Sequence, residues 1–235
     1  FLSGIRRVEF ADFWLADQFC SFSYTSGGLV YVICIYSAKF NEQTCGSEAR
    51  IWVAQWALAS LPMFIRLVQC LKRYHESMLR MHLLNAFRYA SGIIALLIFD
   101  LWRALGTPSG YLTTWSIANT FYSLFSCAWD LCMDWSLLSL QSPYPFLREE
   151  LVYSNYIYVY YIAIILNVIS RFAWIIYIPV PDAGWDFRLR SFIVAFLEML
   201  RRLQWNAFRL ESEHLGNVDQ YRIVREVPLP YTLDD

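Results

Sequence analysis

Long stretches without a charged residue dominate the pattern of apolar and polar positions along this chain. The charge-free runs cover residues 18–38, 51–65, 89–99, 104–129, 151–170, 172–181 and 191–197. A helix needs about 20 mostly apolar residues to cross a bilayer, so several runs are long enough only if the helix continues through a charge. The pattern therefore predicts six helices, at about 13–38, 50–73, 82–104, 111–138, 152–179 and 187–212.

Glycine and proline mark the connections between the predicted helices. The last three connections contain Gly106, Pro108 and Gly110, then the segment 142–145, then Pro179, Pro181 and Gly184. We predict one membrane domain at 1–216 and a polar C-terminal tail at 217–235. Because the chain begins at Phe1 rather than methionine, we expect a fragment of a longer product.

Basic residues predict the orientation of the bundle. Six crossings place both termini on one side, and twelve of the 19 lysines and arginines lie in segments assigned to that side, against five in the opposite loops. Cytosolic segments carry the excess of Lys and Arg, so both termini are predicted to be cytosolic. The predicted fold is an all-α, polytopic membrane helical bundle with about six transmembrane helices.

Composition excludes several classes of protein. The chain is 57% hydrophobic with a net charge of -1, which gives no basic field for nucleic acid. The six cysteines form no CxxC pair and mostly lie in apolar runs, so we interpret them as small buried side chains rather than metal ligands or disulfides. No metal or other cofactor is expected.

Charged residues inside the predicted helices are the candidates for chemistry, since each costs at least about 2.5 kcal/mol in a membrane helix. Glu198 and Arg202 stand four apart on one helical face, and Arg201 lies beside them. One carboxylate neutralises only one of the two arginines, and a second guanidinium suits a phosphate. The alternative is a basic helix end that reaches the cytosolic interface.

Further charges occur in the other helices. Asp130 and Asp134 share one face and require cations from other helices or a bound cation; catalysis by this pair is disfavoured because no substrate motif accompanies it. Arg171 with Trp174, and Arg88 with Tyr89, offer rigid oxyanion ligands. When Asp17 is included, the candidates comprise four acids and four arginines, so their charges sum to zero. This sum by itself slightly favours salt bridges between helices over an anion path.

Seven ordered segments make the chain resemble the EXS domain of the SYG and xenotropic retrovirus receptor family of eukaryotic phosphate exporters. It is also similar to the Golgi ERD-type EXS proteins. The matching segments are Phe13–Gln18, Arg66–Tyr74, His82–Tyr89, Trp129–Trp135, Phe146–Glu150, Arg171–Trp174 and Glu198–His214.

The resemblance implies a helical path by which inorganic phosphate leaves the cytosol. Residues implied to bind phosphate or line the path are Arg88, Tyr89, Arg171, Trp174, Arg201, Arg202 and Arg80, and the orienting acids are Asp17, Asp130, Asp134 and Glu198. The chain departs from the family at Cys20, where Asn is frequent, and at Arg88, where Lys is frequent.

The resemblance also implies partners and a location. Besides phosphate and the lipid bilayer, it implies an SPX domain that binds inositol pyrophosphate in a longer chain, and it allows a homodimer. The membrane is expected to be the plasma membrane or the Golgi and endomembranes. The alternative function is a Golgi membrane protein for phosphate recycling and retention or sorting of resident enzymes; an enzyme is not expected.

Overall fold

The computed structural model describes residues 10–41, 45, 49–106, 109–139, 142–178 and 186–225, with side chains up to residue 217. Within these ranges the chain forms helices and turns, and no strand occurs. The main helices are α1 (Phe10–Cys20), α2 (Ser23–Ser37), α3 (Ala49–Ser77), α4 (Arg80–Ala104), α5 (Ser109–Trp129), α6 (Ile157–Arg171) and α7 (Phe187–Arg225). A π-helix follows α5 (Asp130–Asp134), and short 3-10 helices flank α6 (Ser154–Tyr156 and Ala173–Tyr177).

The first predicted helix is two helices in the structure. α1 and α2 meet at an angle of 57°, with the break at residues 21–22. The glycine pair at 27–28 lies inside α2. A Cβ on Gly27 would lie 3.2 Å from the Cβ of Ala59, so this glycine serves the close packing of α2 on α3.

Only part of the predicted six-span bundle is confirmed. Three helices in the described ranges are long and apolar enough to cross a membrane (Arg50–Ser77, Arg80–Ala104 and Ser154–Tyr177), and the bent α1–α2 pair would make four. α5 is rich in hydroxyl side chains and α7 carries several charges, which lowers their hydropathy. α7 continues to Arg225, beyond the predicted helix end at 212 and into the predicted tail. The predicted turn at Pro179, Pro181 and Gly184 lies outside the described residues.

The interpretation of the cysteines is wrong at two positions, because Cys34 and Cys45 form a disulfide. They are 11 residues apart in sequence, and α2 ends between them at Ser37. The separation of the two cysteines in the sequence does not indicate this pairing, because they become neighbours only when the chain turns back after α2. Cys20, Cys70, Cys127 and Cys132 are free thiols, and Cys132 is exposed, so its predicted burial is wrong as well.

The described residues belong to two units. The first comprises Phe1–Ser126 and Ile169–Arg202, and in it α3 packs against α1, α2 and α4. Its core includes Met63, Cys70, Ala86 and Tyr89. A second layer is aromatic, with the rings of Trp102 and Trp115 stacked 5.8 Å apart. The helices of this unit carry most of the predicted site residues.

The second unit comprises Cys127–Val168 and Leu203–Asp235. Its core is built on Phe208, whose ring lies 4.9 Å from that of Trp135 and 5.2 Å from that of Tyr160. Trp135, Leu147 and Tyr160 are fully buried. α6 exposes Ile162 and other large apolar side chains, as expected of a helix that faces lipid.

Candidate functional site

A buried carboxylate on α1 connects α3 and α4 in the first unit. Asp17 Oδ1 accepts a hydrogen bond from Arg66 Nε at 2.7 Å and one from the hydroxyl of Tyr89 at 2.5 Å. All three side chains are buried. Because an isolated buried charge is costly, the ion pair between Asp17 and Arg66 holds these three helices at a defined spacing.

The hydroxyl of Tyr89 also accepts a hydrogen bond from a second buried arginine, Arg88. Arg88 Nη2 donates to it at 2.6 Å, and Arg88 Nε donates to Asn85 Oδ1 at 3.0 Å. Arg66 Nε lies 3.0 Å from the same hydroxyl. One phenol therefore orients two buried guanidinium groups, as expected of a polar network in which every member has partners.

A second group of contacts joins the α1–α2 break to α7. Glu198 forms a bidentate pair with Arg201, with Nε at 2.7 Å from Oε2 and Nη2 at 2.6 Å from Oε1. Ser21 Oγ donates to Glu198 Oε1 at 2.8 Å and accepts from Arg202 Nε at 2.7 Å. The sequence favoured a pair between Glu198 and Arg202, four residues apart, but the bidentate partner is Arg201, three residues away.

Electrostatic interactions connect these two groups within the first unit. The Asp17 carboxylate interacts with the Arg202 guanidinium group, and Arg171 interacts with Glu198. We call the set the cationic cluster; its members are Asp17, Arg66, Arg88, Tyr89, Arg171, Glu198, Arg201 and Arg202. It contains five guanidinium groups and two carboxylates.

Trp174 lies in the aromatic layer of the same unit. Its indole Nε1 donates to Ser123 Oγ at 3.1 Å, and Ser123 Oγ donates to the carbonyl oxygen of Arg171 at 2.9 Å. The ring of Trp174 meets that of Trp115 edge-on at 5.2 Å. These contacts tie the indole to the end of α6, next to Arg171.

The predicted carboxylate pair lies on the π-helix of the second unit. Asp130 is fully buried and accepts from Asn167 Nδ2 at 3.3 Å, and Asp134 accepts from Trp205 Nε1 at 3.2 Å. The backbone N–H of Trp135 donates to the carbonyl of Asp130, an i to i+5 contact that marks the wider turn. A continuous α-helix through 138 was predicted, so this local widening is a correction.

A buried ion pair lies close by in the same unit. Arg148 Nη2 is 2.6 Å from Glu211 Oε1, which also accepts from the hydroxyl of Tyr160 at 2.5 Å and the N–H of Val152 at 3.0 Å. Arg209 pairs with Glu213 at 3.3 Å. We call the set the acidic cluster; its members are Asp130, Asp134, Arg148, Arg209, Glu211 and Glu213.

The structure separates the predicted site residues into three groups. The first group comprises Trp174 and those members of the cationic cluster that the sequence predicted. The second group is Asp130 and Asp134 in the acidic cluster, and the third is Arg80 alone. Arg80 is the exposed first residue of α4, about 12 Å along the helix from Arg88 at 1.5 Å per residue.

Sequence reasoning missed Arg66 and Ser21. Arg66 lies in the predicted helix at 50–73 but was counted only among the basic residues on the cytosolic side, whereas α3 buries it. The signal that could have found it is the matching segment Arg66–Tyr74, which begins at this arginine. No pattern in the sequence indicated a role for Ser21, because its partners on α7 are 177 and 181 residues away.

Comparison with known proteins matches residues 1–215 to the EXS family. The chain is 35% identical to "Protein SYG1" of Saccharomyces cerevisiae over 99% of its length, and 35% identical to "Phosphate transporter PHO1-1" of Oryza sativa subsp. japonica over 97%. It is 34% identical to "Solute carrier family 53 member 1" of Homo sapiens over its full length. The chain spans 27%, 29% and 37% of these three relatives, respectively.

Proposed function

This chain belongs to the EXS family, and on that premise we propose that it exports inorganic phosphate across a membrane along a path lined by the arginines of the cationic cluster. A similar protein of rice is named a phosphate transporter. The membrane is proposed to be the plasma membrane or an endomembrane. The chain's long apolar helices support its placement in a bilayer.

The observation that carries this proposal is the composition of the cationic cluster. The first unit brings five guanidinium groups and two carboxylates together from α1, α3, α4, α6 and α7. Guanidinium forks bind phosphate oxygens bidentately, so this cluster suits an anion such as phosphate.

The contacts also support a route for release. Asp17 and Glu198 each hold arginines by charged hydrogen bonds, and phosphate oxygens can replace carboxylate oxygens as acceptors. We propose that phosphate is first attracted by the exposed Arg80 and then binds Arg88 and Arg171. The carboxylates take the arginines back as it leaves, which keeps binding weak enough for release. Trp174 is proposed to gate the far side, and Asp130 and Asp134 to orient neighbouring groups.

The disulfide supports the proposed orientation. Disulfides persist in oxidising compartments and are rare in the cytosol, so the segment between α2 and α3 is proposed to face away from the cytosol. α3 then crosses the membrane, which places the α3–α4 connection at Met78 and Leu79 on the cytosolic side. Lys72, Arg73 and Arg80 lie near that connection, in agreement with the excess of basic residues in cytosolic segments.

Release of radiolabelled phosphate from proteoliposomes tests the proposal. We expect the full chain to release phosphate and the Arg171→Ala variant to release it at least about tenfold more slowly, since one charged hydrogen bond contributes about 1.5–3 kcal/mol. The matched control is Arg188→Ala, because Arg188 is an exposed arginine on α7 outside the cluster. The reconstituted amount of each variant is measured in the same vesicles.

The alternative from the sequence is a sorting or retention protein whose charges hold its helices together. It predicts that Arg171→Ala lowers stability without a specific effect on transport. Equal phosphate release by the wild type and by inserted, folded Arg171→Ala would contradict the arginine-lined path. Absence of phosphate release from the folded wild type would contradict phosphate export by this chain.

A further inference from the structure

Ser21 occupies the break between α1 and α2, one helical turn after Asp17. Its side chain is buried, and residues four apart lie on the same helical face. The end of α1 and the break after it therefore make two sets of contacts: Asp17 meets Arg66, and Ser21 meets Glu198 and Arg202 on α7.

The hydroxyl of Ser21 bridges a carboxylate and a guanidinium group. A serine hydroxyl has one donor and two acceptor positions. Here it donates to Glu198 Oε1 at 2.8 Å and accepts from Arg202 Nε at 2.7 Å. Both Glu198 oxygens also accept from Arg201, whose Nε and Nη2 face the carboxylate. The two adjacent arginines therefore reach Glu198 differently, one directly and the other through a hydroxyl.

We infer that Ser21 is a positioning residue for phosphate binding, which it favours by holding the Arg202 guanidinium one hydroxyl away from Glu198. The inference rests on the proposed function. Without the hydroxyl, Arg202 can rotate onto the carboxylate beside Arg201, since opposite charges attract strongly at low dielectric. An arginine drawn onto Glu198 is a weaker phosphate ligand, so phosphate then has to compete with the carboxylate for it.

This role predicts a specific kinetic change. In Ser21→Ala we expect the phosphate concentration for half-maximal release to rise about tenfold, the usual scale for one hydrogen bond to a charged group. Maximal release should stay within about twofold of wild type, because every charged residue of the path is retained. Release from proteoliposomes, measured over a range of internal phosphate concentrations, gives both quantities.

Two further comparisons isolate the hydroxyl. Ser23→Ala is the matched control, because Ser23 lies at the same break but donates to the carbonyl of Cys20, outside the cluster. It should leave both quantities unchanged. Ser21→Thr and Ser21→Val have nearly the same shape and differ in the hydroxyl, so Thr should preserve the half-maximal concentration and Val should raise it. This pair decides the question if Ser21→Ala fails to fold.

The outcomes separate this inference from the proposed function. The positioning role is wrong if the wild type releases phosphate and Ser21→Ala has the same half-maximal concentration as the wild type. It is also wrong if Ser21→Val and Ser21→Thr have the same half-maximal concentration. A fall in maximal release with no change in that concentration also overturns it, because such a change indicates a structural role. If the folded wild type releases no phosphate, the proposed function fails and the positioning role fails with it.

Discussion

The cationic cluster of the first unit and the acidic cluster of the second bury their charges in opposite proportions. The cationic cluster has five arginines and two carboxylates, and the acidic cluster has two arginines and four carboxylates. The sequence-based sum of zero joined residues that the structure assigns to different units. A zero sum over the eight candidate residues therefore says little about the charge at one site.

The two clusters also differ in how some of their arginines are held. Glu211 receives Arg148, the Tyr160 hydroxyl and a backbone N–H in a buried position, which fixes an irregular segment to α7. In the cationic cluster Asp17 and Glu198 also hold one arginine directly, but Arg88 and Arg202 each donate to a hydroxyl, of Tyr89 and of Ser21. Contacts that pass through hydroxyls can be exchanged for a ligand more easily than a buried ion pair with several donors.

The largest expected effect tests the anchoring role of the acidic cluster. Glu211→Ala should lower the free energy of unfolding by about 3–5 kcal/mol, because it leaves Arg148 as a buried charge whose carboxylate partner has been removed. Thermal unfolding of the purified protein in detergent, followed by loss of tryptophan burial, measures the change. The matched control is Glu213→Ala on the same helix, where a partly exposed pair contributes about 1 kcal/mol or less. Equal effects of the two variants would contradict the anchoring role.

An intermediate effect is expected when charge is kept but the guanidinium fork is lost. Arg201→Lys should weaken phosphate binding about tenfold or more, because an ammonium group cannot offer phosphate oxygens the bidentate fork of a guanidinium group. Arg88→Lys should weaken it by only a few-fold, since a lysine can still donate to the Tyr89 hydroxyl. Titration of the purified variants with phosphate by calorimetry measures both. The same loss in both variants would show that charge alone determines binding.

The smallest effect concerns the end of α2. Cys34 is 13 residues after Ser21, about 20 Å along a helix, so replacing Cys34 and Cys45 by serine should leave phosphate release within about twofold. On that background, Phe40→Cys and Met78→Cys form a matched pair, because both positions are 68% exposed in turns. In sealed vesicles with the extracytosolic face outward, a membrane-impermeant maleimide should label Phe40→Cys and not Met78→Cys. The reverse pattern would invert the proposed orientation.

The sequence predicted the helices well because their signal is local. Uninterrupted apolar runs identified α3 and α4 to within a few residues, and α6 with its flanking 3-10 turns fills the predicted helix at 152–179. The break at residues 21–22 was missed because no glycine or proline marks it. The π-helix at Asp130–Asp134 was missed for a related reason: the apolar pattern continues through it, and only the backbone hydrogen bonds reveal the wider turn.

The site was predicted less completely because its contacts are long-range. Seven candidate residues came together in the first unit, yet Arg66 was not among the candidates, since its partner Asp17 is 49 residues earlier. The contacts of Glu198 and Arg202 with Ser21 are likewise long-range, and no local pattern indicates them.

The most direct test of the central claim is calorimetric titration of the purified full chain with inorganic phosphate, beside the double variant Arg201→Ala/Arg202→Ala. Arg188→Ala serves as the control from the same helix, and circular dichroism confirms that each variant is folded. The account predicts saturable phosphate binding by the wild type and by Arg188→Ala, and a loss of at least about a hundredfold in affinity in the double variant, as two charged ligands are removed. Equal phosphate affinity in all three folded proteins would contradict the assignment of phosphate binding to the cationic cluster.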